Sequence, residues 1–206
     1  MSYHIATSVF EAQYTVKKSR FIARVVPIGS REDALAAVAV AKRDYPDARH
    51  HCWAYLLGEP GDARSAGMSD DGEPAGTAGK PILNVLQHGK FGDVLVVVIR
   101  YFGGIKLGAG GLVRAYGTAT GQALESAPSS LKLELQQYCL RGNFSHEQLL
   151  RHWLTTVEGE MISVEYGDPV VFQLALPAER QIALMDFCAA NHLEVDDNWN
   201  LLNANR

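Results

Sequence analysis

Cysteine is scarce in this 206-residue sequence: there are three, Cys52, Cys139 and Cys188, widely spaced and without a CxxC pair. An odd, scattered set fits reduced thiols in a reducing compartment better than a disulfide framework. Long hydrophobic runs are missing as well. Runs such as Ala34 to Ala41 and Val94 to Ile99 fall far short of the roughly 18 to 20 apolar residues that a membrane span needs, so neither a transmembrane helix nor a membrane partner is expected. Met1-Ser2-Tyr3-His4 offers neither a basic n-region nor a sustained apolar stretch, which points to a cytoplasmic protein. Positive charge is not in excess: 19 basic against 23 acidic side chains leave a net charge of −4. That balance excludes a uniformly cationic nucleic-acid coat but leaves room for a local basic face. What is present, 47% hydrophobic and 20% charged residues, is the composition of a globular protein long enough for one large domain or two small ones.

Glycine is nearly lacking from the later part of the chain. Up to Ala127 there are 16 of the 19 glycines and 14 basic against 12 acidic residues, a balance of +2; from Pro128 onward there are three glycines and 5 basic against 11 acidic residues, a balance of −6. Between them, Glu125-Ser126-Ala127-Pro128-Ser129-Ser130 ends a helical pattern and supplies proline and serine. It reads as a linker between one domain over 1–127 and another over 131–206.

In the first part, Tyr14 to Ile28 alternates and is rich in β-branched and aromatic residues, so it predicts one strand with basic residues at Lys17, Lys18, Arg20 and Arg24. Ser30 is placed to cap a helix that runs through Leu35, Val38 and Lys42 and stops before Pro46. His51 to Leu57 predicts a second strand, Gly58 to Gly76 a long polar loop, and Pro81 to Gln87 a helix. Val94 to Tyr101 is continuously apolar, the pattern of a strand buried on both faces. A glycine cluster follows, then a helix from about Leu112 to Glu125. The second part predicts strands over Leu131 to Leu140, Glu160 to Tyr166, Val170 to Leu176 and Leu193 to Trp199, with helices over Ser145 to Val157 and Ala178 to Asn191. That βαββαβ order is the ferredoxin-like arrangement, so the fold class is α+β.

Two stretches invite chemistry. The strand, glycine turn and helix from Ile99 to Tyr116 bring Gly103, Gly104, Gly108, Gly110 and Gly111 to a helix start, where backbone N–H groups can face a phosphate, with Lys106 and Arg114 adding charge. Neither the P-loop nor the dinucleotide-binding glycine pattern is met, and the glycines could instead serve only a tight crossover. The second stretch, Ser69 to Pro81, packs Asp70, Asp71 and Glu73 within four positions. Such carboxylates could hold a hard cation or act as a base, or they could simply cap and solvate a turn. His50-His51-Cys52 is a weak metal set, because adjacent strand residues point to opposite faces and no second cluster completes four ligands. Trp53 and Tyr55 share a face with His51 and suit either a core or a stacking platform. Lys18 and Arg20 are candidate phosphate contacts or ordinary solvated charge. No metal and no cofactor is implied.

Four blocks in order resemble the signature of the IMPACT family. They are Lys18-Ser19-Arg20-Phe21-Ile22-Ala23; His51-Cys52-Trp53-Ala54-Tyr55; Asp70-Asp71-Gly72-Glu73-Pro74-Ala75-Gly76-Thr77-Ala78-Gly79-Lys80-Pro81-Ile82-Leu83; and Arg100 to Tyr116. The resemblance implies a first domain with the fold of the second domain of ribosomal protein S5, and a ferredoxin-like second domain similar to the last domain of the translocating elongation factor. Eukaryotic members are translational regulators that act through an additional N-terminal RWD domain. Here strand-like sequence begins almost at Met1, so that domain, and the stress-kinase role tied to it, is not expected. The resemblance implies a functional surface near Lys18, Arg20, His51, Asp70, Asp71, Glu73, Lys106 and Arg114.

The leading expectation is a translation-associated regulator that binds RNA, the ribosome or translation factors through its glycine-rich first domain. The alternative is an enzyme acting on a phosphorylated small molecule, with the Asp70 to Glu73 loop and the Gly103 to Gly111 turn as its site.

Overall fold

The computed structural model describes residues 2–133 and 135–196, which divide into two compact units at Lys132/Leu133. In the first unit the strands are β1 (Tyr3–Ala6), β2 (Phe10–Val16), β3 (Ser19–Pro27), β4 (His50–Glu59), β5 (Asp62–Ser69), β6 (Val94–Tyr101) and β7 (Ser129–Lys132). Its helices are α1 (Arg31–Asp44), α2 (Gly79–Gln87) and α3 (Ala109–Ser126).

Strands β2-β3-β6-β4-β5 form one antiparallel sheet with β6 at its centre. Strand periodicity explains how that sheet is covered. Val94, Val96 and Val98 face one way, into a core with Ile82 and Leu86 of α2 and Leu112, Tyr116 and Ala119 of α3. Leu95, Val97 and Ile99 face the other way, against Ala34, Val38 and Ala41 of α1. The expected burial of this strand on both faces is what the sheet has. Helix α1 starts at Ser30, whose hydroxyl accepts the Asp33 N–H at 3.1 Å, a cap of the kind that stabilises by about 0.5–2 kcal/mol.

Three sequence expectations need correction. The single strand over Tyr14 to Ile28 is a hairpin, β2 and β3, turned by Lys17 and Lys18 at φ 44° and 61°. Both central residues sit in the left-handed region that a two-residue hairpin requires, and lysine gives no sequence signal for it. The Gly58 to Gly76 loop contains β5, an edge strand held to β4 by backbone pairing while its polar side chains stay largely exposed. The strand expected over Leu131 to Leu140 is two strands, of which β7 pairs with β1 in the first unit, Tyr3 opposite Lys132 and Ala6 opposite Ser129. Ser129 and Ser130 are therefore part of a ribbon rather than a bare linker. Asp93 anchors it by accepting the Tyr3 hydroxyl at 2.8 Å, the Lys132 ammonium at 2.5 Å and the Gly58 N–H at 2.8 Å.

The second unit has strands β8 (Leu135–Gly142), β9 (Glu160–Glu165), β10 (Val170–Pro177) and β11 (Glu194–Val195), with helices α4 (His146–Thr156) and α5 (Gln181–Asn191). All pairs are antiparallel in the order β11-β8-β10-β9. Leu150 and Leu154 of α4 and Leu184 and Cys188 of α5 pack on Leu140, Phe172 and Leu174. The expected last strand, Leu193 to Trp199, extends beyond the described residues. No helix among those residues is long and apolar enough to cross a membrane.

Candidate functional site

Helix α3 begins in the middle of the glycine cluster, three residues earlier than its apolar periodicity suggests. Its N-cap is Gly108 at φ 74°, a conformation few side chains adopt, and no side chain caps it. The first-turn N–H groups are thus left to water or a ligand, at the positive end of an 18-residue helix dipole. Gly108 and Ala109 line a cleft of about 360 Å³ with Arg49, His50, Glu73, Arg100, Phe102, Lys106 and Leu107.

Arg100 is the one charged residue of β6, on the same sheet face as Val96 and Val98. It is 92% buried, because its side chain keeps only 8% exposure. One terminal nitrogen donates to Glu73 Oε1 at 2.5 Å, and the Tyr116 hydroxyl donates to the same oxygen at 2.9 Å. The single Cys52 thiol proton has two acceptors in reach, the Asp70 carbonyl at 2.9 Å and the Tyr116 oxygen at 3.3 Å. Burial, with Glu73 nearby, holds the Tyr116 hydroxyl far above its ordinary range, and burial pushes the Cys52 thiol up to about 12. Neither is a nucleophile at neutral pH. Arg100 Nε is buried with no hydrogen-bond acceptor among the described residues. A buried N–H left unmatched costs about 1–3 kcal/mol until a water or ligand supplies an oxygen. Arg49 and Lys106, exposed at the rim, have no ion-pair partner among the described residues. Phe102 is 57% exposed beside the Arg100 guanidinium, 5.7 Å from its ring centre.

A second cleft of about 220 Å³ lies on the other side of Leu107, lined by Tyr14, Lys17, Gly111, Arg114 and Thr118. Of the residues expected from sequence, Glu73, Lys106 and Gly108 meet in the first cleft, and Gly111 and Arg114 in the second. The others lie elsewhere. Arg20 shares the α1 face with Ile22 and stacks on Tyr101 at 4.4 Å, so sheet parity sets it on the opposite side from Arg100. Lys18 occupies the hairpin turn. Gly103 lets that turn approach: a Cβ there would lie 1.9 Å from the Lys18 carbonyl carbon. Gly104, at φ 84°, and Gly110 are exposed and line neither cleft.

The acidic loop does structural work. Asp70 accepts the N–H groups of Gly76, Ala78 and Gly79 at 2.8 to 3.0 Å and so closes the first turn of α2. Burial would raise its carboxyl, but these donors outweigh burial and hold it below the usual range. Asp71 accepts from Lys42 Nζ at 2.8 Å and the His51 N–H at 2.7 Å, and it too is held low against the effect of burial. His51 is buried, its Nε2–H donates to the Tyr45 carbonyl at 3.1 Å, and burial lowers its imidazole. Trp53 and Tyr55 stack at 6.1 Å within the α1-side core. Among the described residues no three His, Cys, Asp or Glu side chains are grouped to hold a metal ion.

Sequence reasoning passed over Arg49, Arg100 and Phe102. A signal was available for Arg100, since a cation ending a continuously apolar strand must find a partner or a ligand. Phe102 carried none, because an aromatic after a buried strand suggests core.

The sequence is 46% identical over 155 residues to an IMPACT family member of Haemophilus influenzae, covering 75% of this chain and 74% of that protein. It is 42% identical over 165 residues to the IMPACT family member YigZ of Escherichia coli, covering 80% of this chain and 81% of that protein. A crystal structure described as that of a hypothetical protein superposes with a TM-score of 0.63 at 38% identity, over 94% of this chain and 96% of that one. Residues 140–187 match a domain of unknown function (DUF1949). Residues 17–124, more than half the chain, match the Impact N-terminal domain. With that match and relatives of this identity and coverage, the chain belongs to the IMPACT family.

Proposed function

We propose that this protein is a translation-associated regulator whose first unit binds RNA, on the ribosome or with translation factors. The observation that carries the reading is a single cleft that joins an uncapped helix N-terminus, the cations Arg49, Arg100 and Lys106, and the exposed ring of Phe102. Backbone N–H groups and cations suit a phosphate, and the ring suits a base. Membership of a family whose eukaryotic members regulate translation supports the setting. The β11-β8-β10-β9 order supports a ferredoxin-like second domain resembling the last domain of the translocating elongation factor. The first unit, a sheet with α2 and α3 on one face, is read with the resemblance as an S5 second-domain-like fold.

The enzyme reading has less behind it. Asp70 and Asp71 are occupied by backbone and lysine donors, and Glu73 is neutralised by Arg100. None of the three is poised as a base or metal ligand.

The test is RNA binding by the full chain, followed by fluorescence anisotropy and by cosedimentation with ribosomes across a salt series. Affinity is expected to rise steeply as salt falls, and Lys106→Glu to weaken it. Absence of binding at low salt, where phosphate contacts are strongest, overturns the proposal.

A further inference from the structure

We infer, resting on the RNA reading above, that the ligand is a single strand that crosses the first turn of α3, with phosphates in the two clefts and a base stacked on Phe102. The two clefts share Leu107 as a common wall. Helices advance about 1.5 Å and turn about 100° per residue, so from Ala109 in the first cleft to Arg114 in the second the wall moves about 7.5 Å along the axis and about 140° around it, and a strand joining the clefts passes round the helix start. With Arg100 and Glu73 neutralising each other, each cleft still has its own cations: Arg49 and Lys106 in the first, Lys17 and Arg114 in the second. Glu73 is the one acidic residue in either lining, and its charge is spent on Arg100.

The helix start is not the only sign of an anion. Arg100 is nine-tenths buried, lines the first cleft and holds its Nε N–H without an acceptor. Glu73 holds the Arg100 guanidinium in place, and Arg49 and Lys106, exposed and without an ion-pair partner among the described residues, are the cations left for a phosphate. Lys17 is set at the second cleft by the left-handed hairpin turn, and Gly103 permits that turn to pack against the strand end.

The same residues favour an unpaired strand over a duplex. Phe102 and Ile105, 57% and 44% exposed, belong to the loop that carries Lys106. A ring in that position stacks with a base only if the base is free, and duplex bases are already stacked on each other. Clefts of about 360 and 220 Å³ admit one nucleotide portion each. A duplex presents phosphates on a convex cylinder, which the walls of such clefts would hold at a distance.

The experiment compares a short unstructured RNA with the same strand annealed to its complement, binding each to the full-length protein at low salt. The single strand is expected to bind more tightly. Phe102→Ala should weaken it about tenfold without changing the salt slope, and Phe102→Tyr should restore it. Arg114→Gln should lower the slope of log K against log salt by about 0.7, the value for one phosphate contact on a single strand. If the duplex binds as tightly, or Phe102→Ala is neutral while the wild type still binds RNA, this inference falls and the proposed function stands. If neither RNA binds at low salt, both fall.

Discussion

Replacing Glu73 by glutamine isolates the buried charge pair beneath the cleft. The side chains of Glu73 and Arg100 are 4% and 8% exposed, so neither charge is solvated if the other is removed. Breaking a buried pair from one side costs about 3–5 kcal/mol. Glutamine keeps the volume and an oxygen for the Tyr116 hydroxyl, a bond worth about 0.5–1.5 kcal/mol, so the expected loss is at the lower end, about 3 kcal/mol. Domains are commonly stable by only about 5–15 kcal/mol, which makes this a large fraction. The measurement is urea unfolding of the full chain, with hydrogen exchange at the β6 amides to report on the first unit. The double variant Glu73→Leu with Arg100→Met removes both charges and should recover most of the loss, since apolar replacement of a whole buried pair is often neutral. A loss below about 0.5 kcal/mol for Glu73→Gln, or single-variant losses that simply add in the double variant, refutes the account of this network.

Gly103→Ala sets a methyl against the Lys18 carbonyl carbon in backbone pinned by the Arg20 to Tyr101 pairing, and should cost about 1–3 kcal/mol in thermal unfolding. Gly121→Ala, in the same kind of assay, should stabilise by up to about 1 kcal/mol, because nothing lies near its Cβ inside α3. Asp93 is held below its ordinary range because Lys132, Gly58 and Tyr3 outweigh the effect of burial. Its contribution is present above the ordinary aspartate value of about 3.9 and is lost as pH falls through the lowered folded value, so the melting gap between wild type and Asp93→Asn should narrow below about pH 4. Cys52 and Cys188, pushed up to about 12 and about 11 by burial, should resist alkylation in the native protein at neutral pH and label fully in denaturant, as read by mass spectrometry; native labelling of Cys52 contradicts the buried network.

How far the sequence could be read depended on where each residue finds its partner. Strand β6 and the Ser30 cap were legible because burial on two faces and a local hydroxyl acceptor are written in consecutive residues. The turn at Lys17 and Lys18 was not, since its left-handed backbone is imposed by the pairing of β2 with β3 rather than by glycine or asparagine. β5 escaped notice because an edge strand needs only backbone partners. The acidic loop suggested a reactive cluster, yet Asp70 is answered by N–H groups six to nine residues on and Asp71 by Lys42 of α1. Glycine richness near residue 108 did mark the helix start that lines the cleft. The cations completing that cleft come from the approach to β4 and the end of β6, which no local pattern joins.

The ribbon of β1 and β7 also sets an order for folding. His4 and Ser129, bonded across it, are 125 residues apart in sequence. Closing a loop of that length carries an entropy cost of about 4 kcal/mol beyond the constant for any closure. Few residues share the ribbon's gain, so it should zip up after the five-stranded sheet and its helices are in place. On a nascent chain, the first unit must then wait for Lys132 to emerge before Asp93 receives the ammonium that neutralises it. Until that moment the backbone of β1 is held, among the described residues, only at His4, which pairs with Lys90 and Gly92, and its other edge waits for β7.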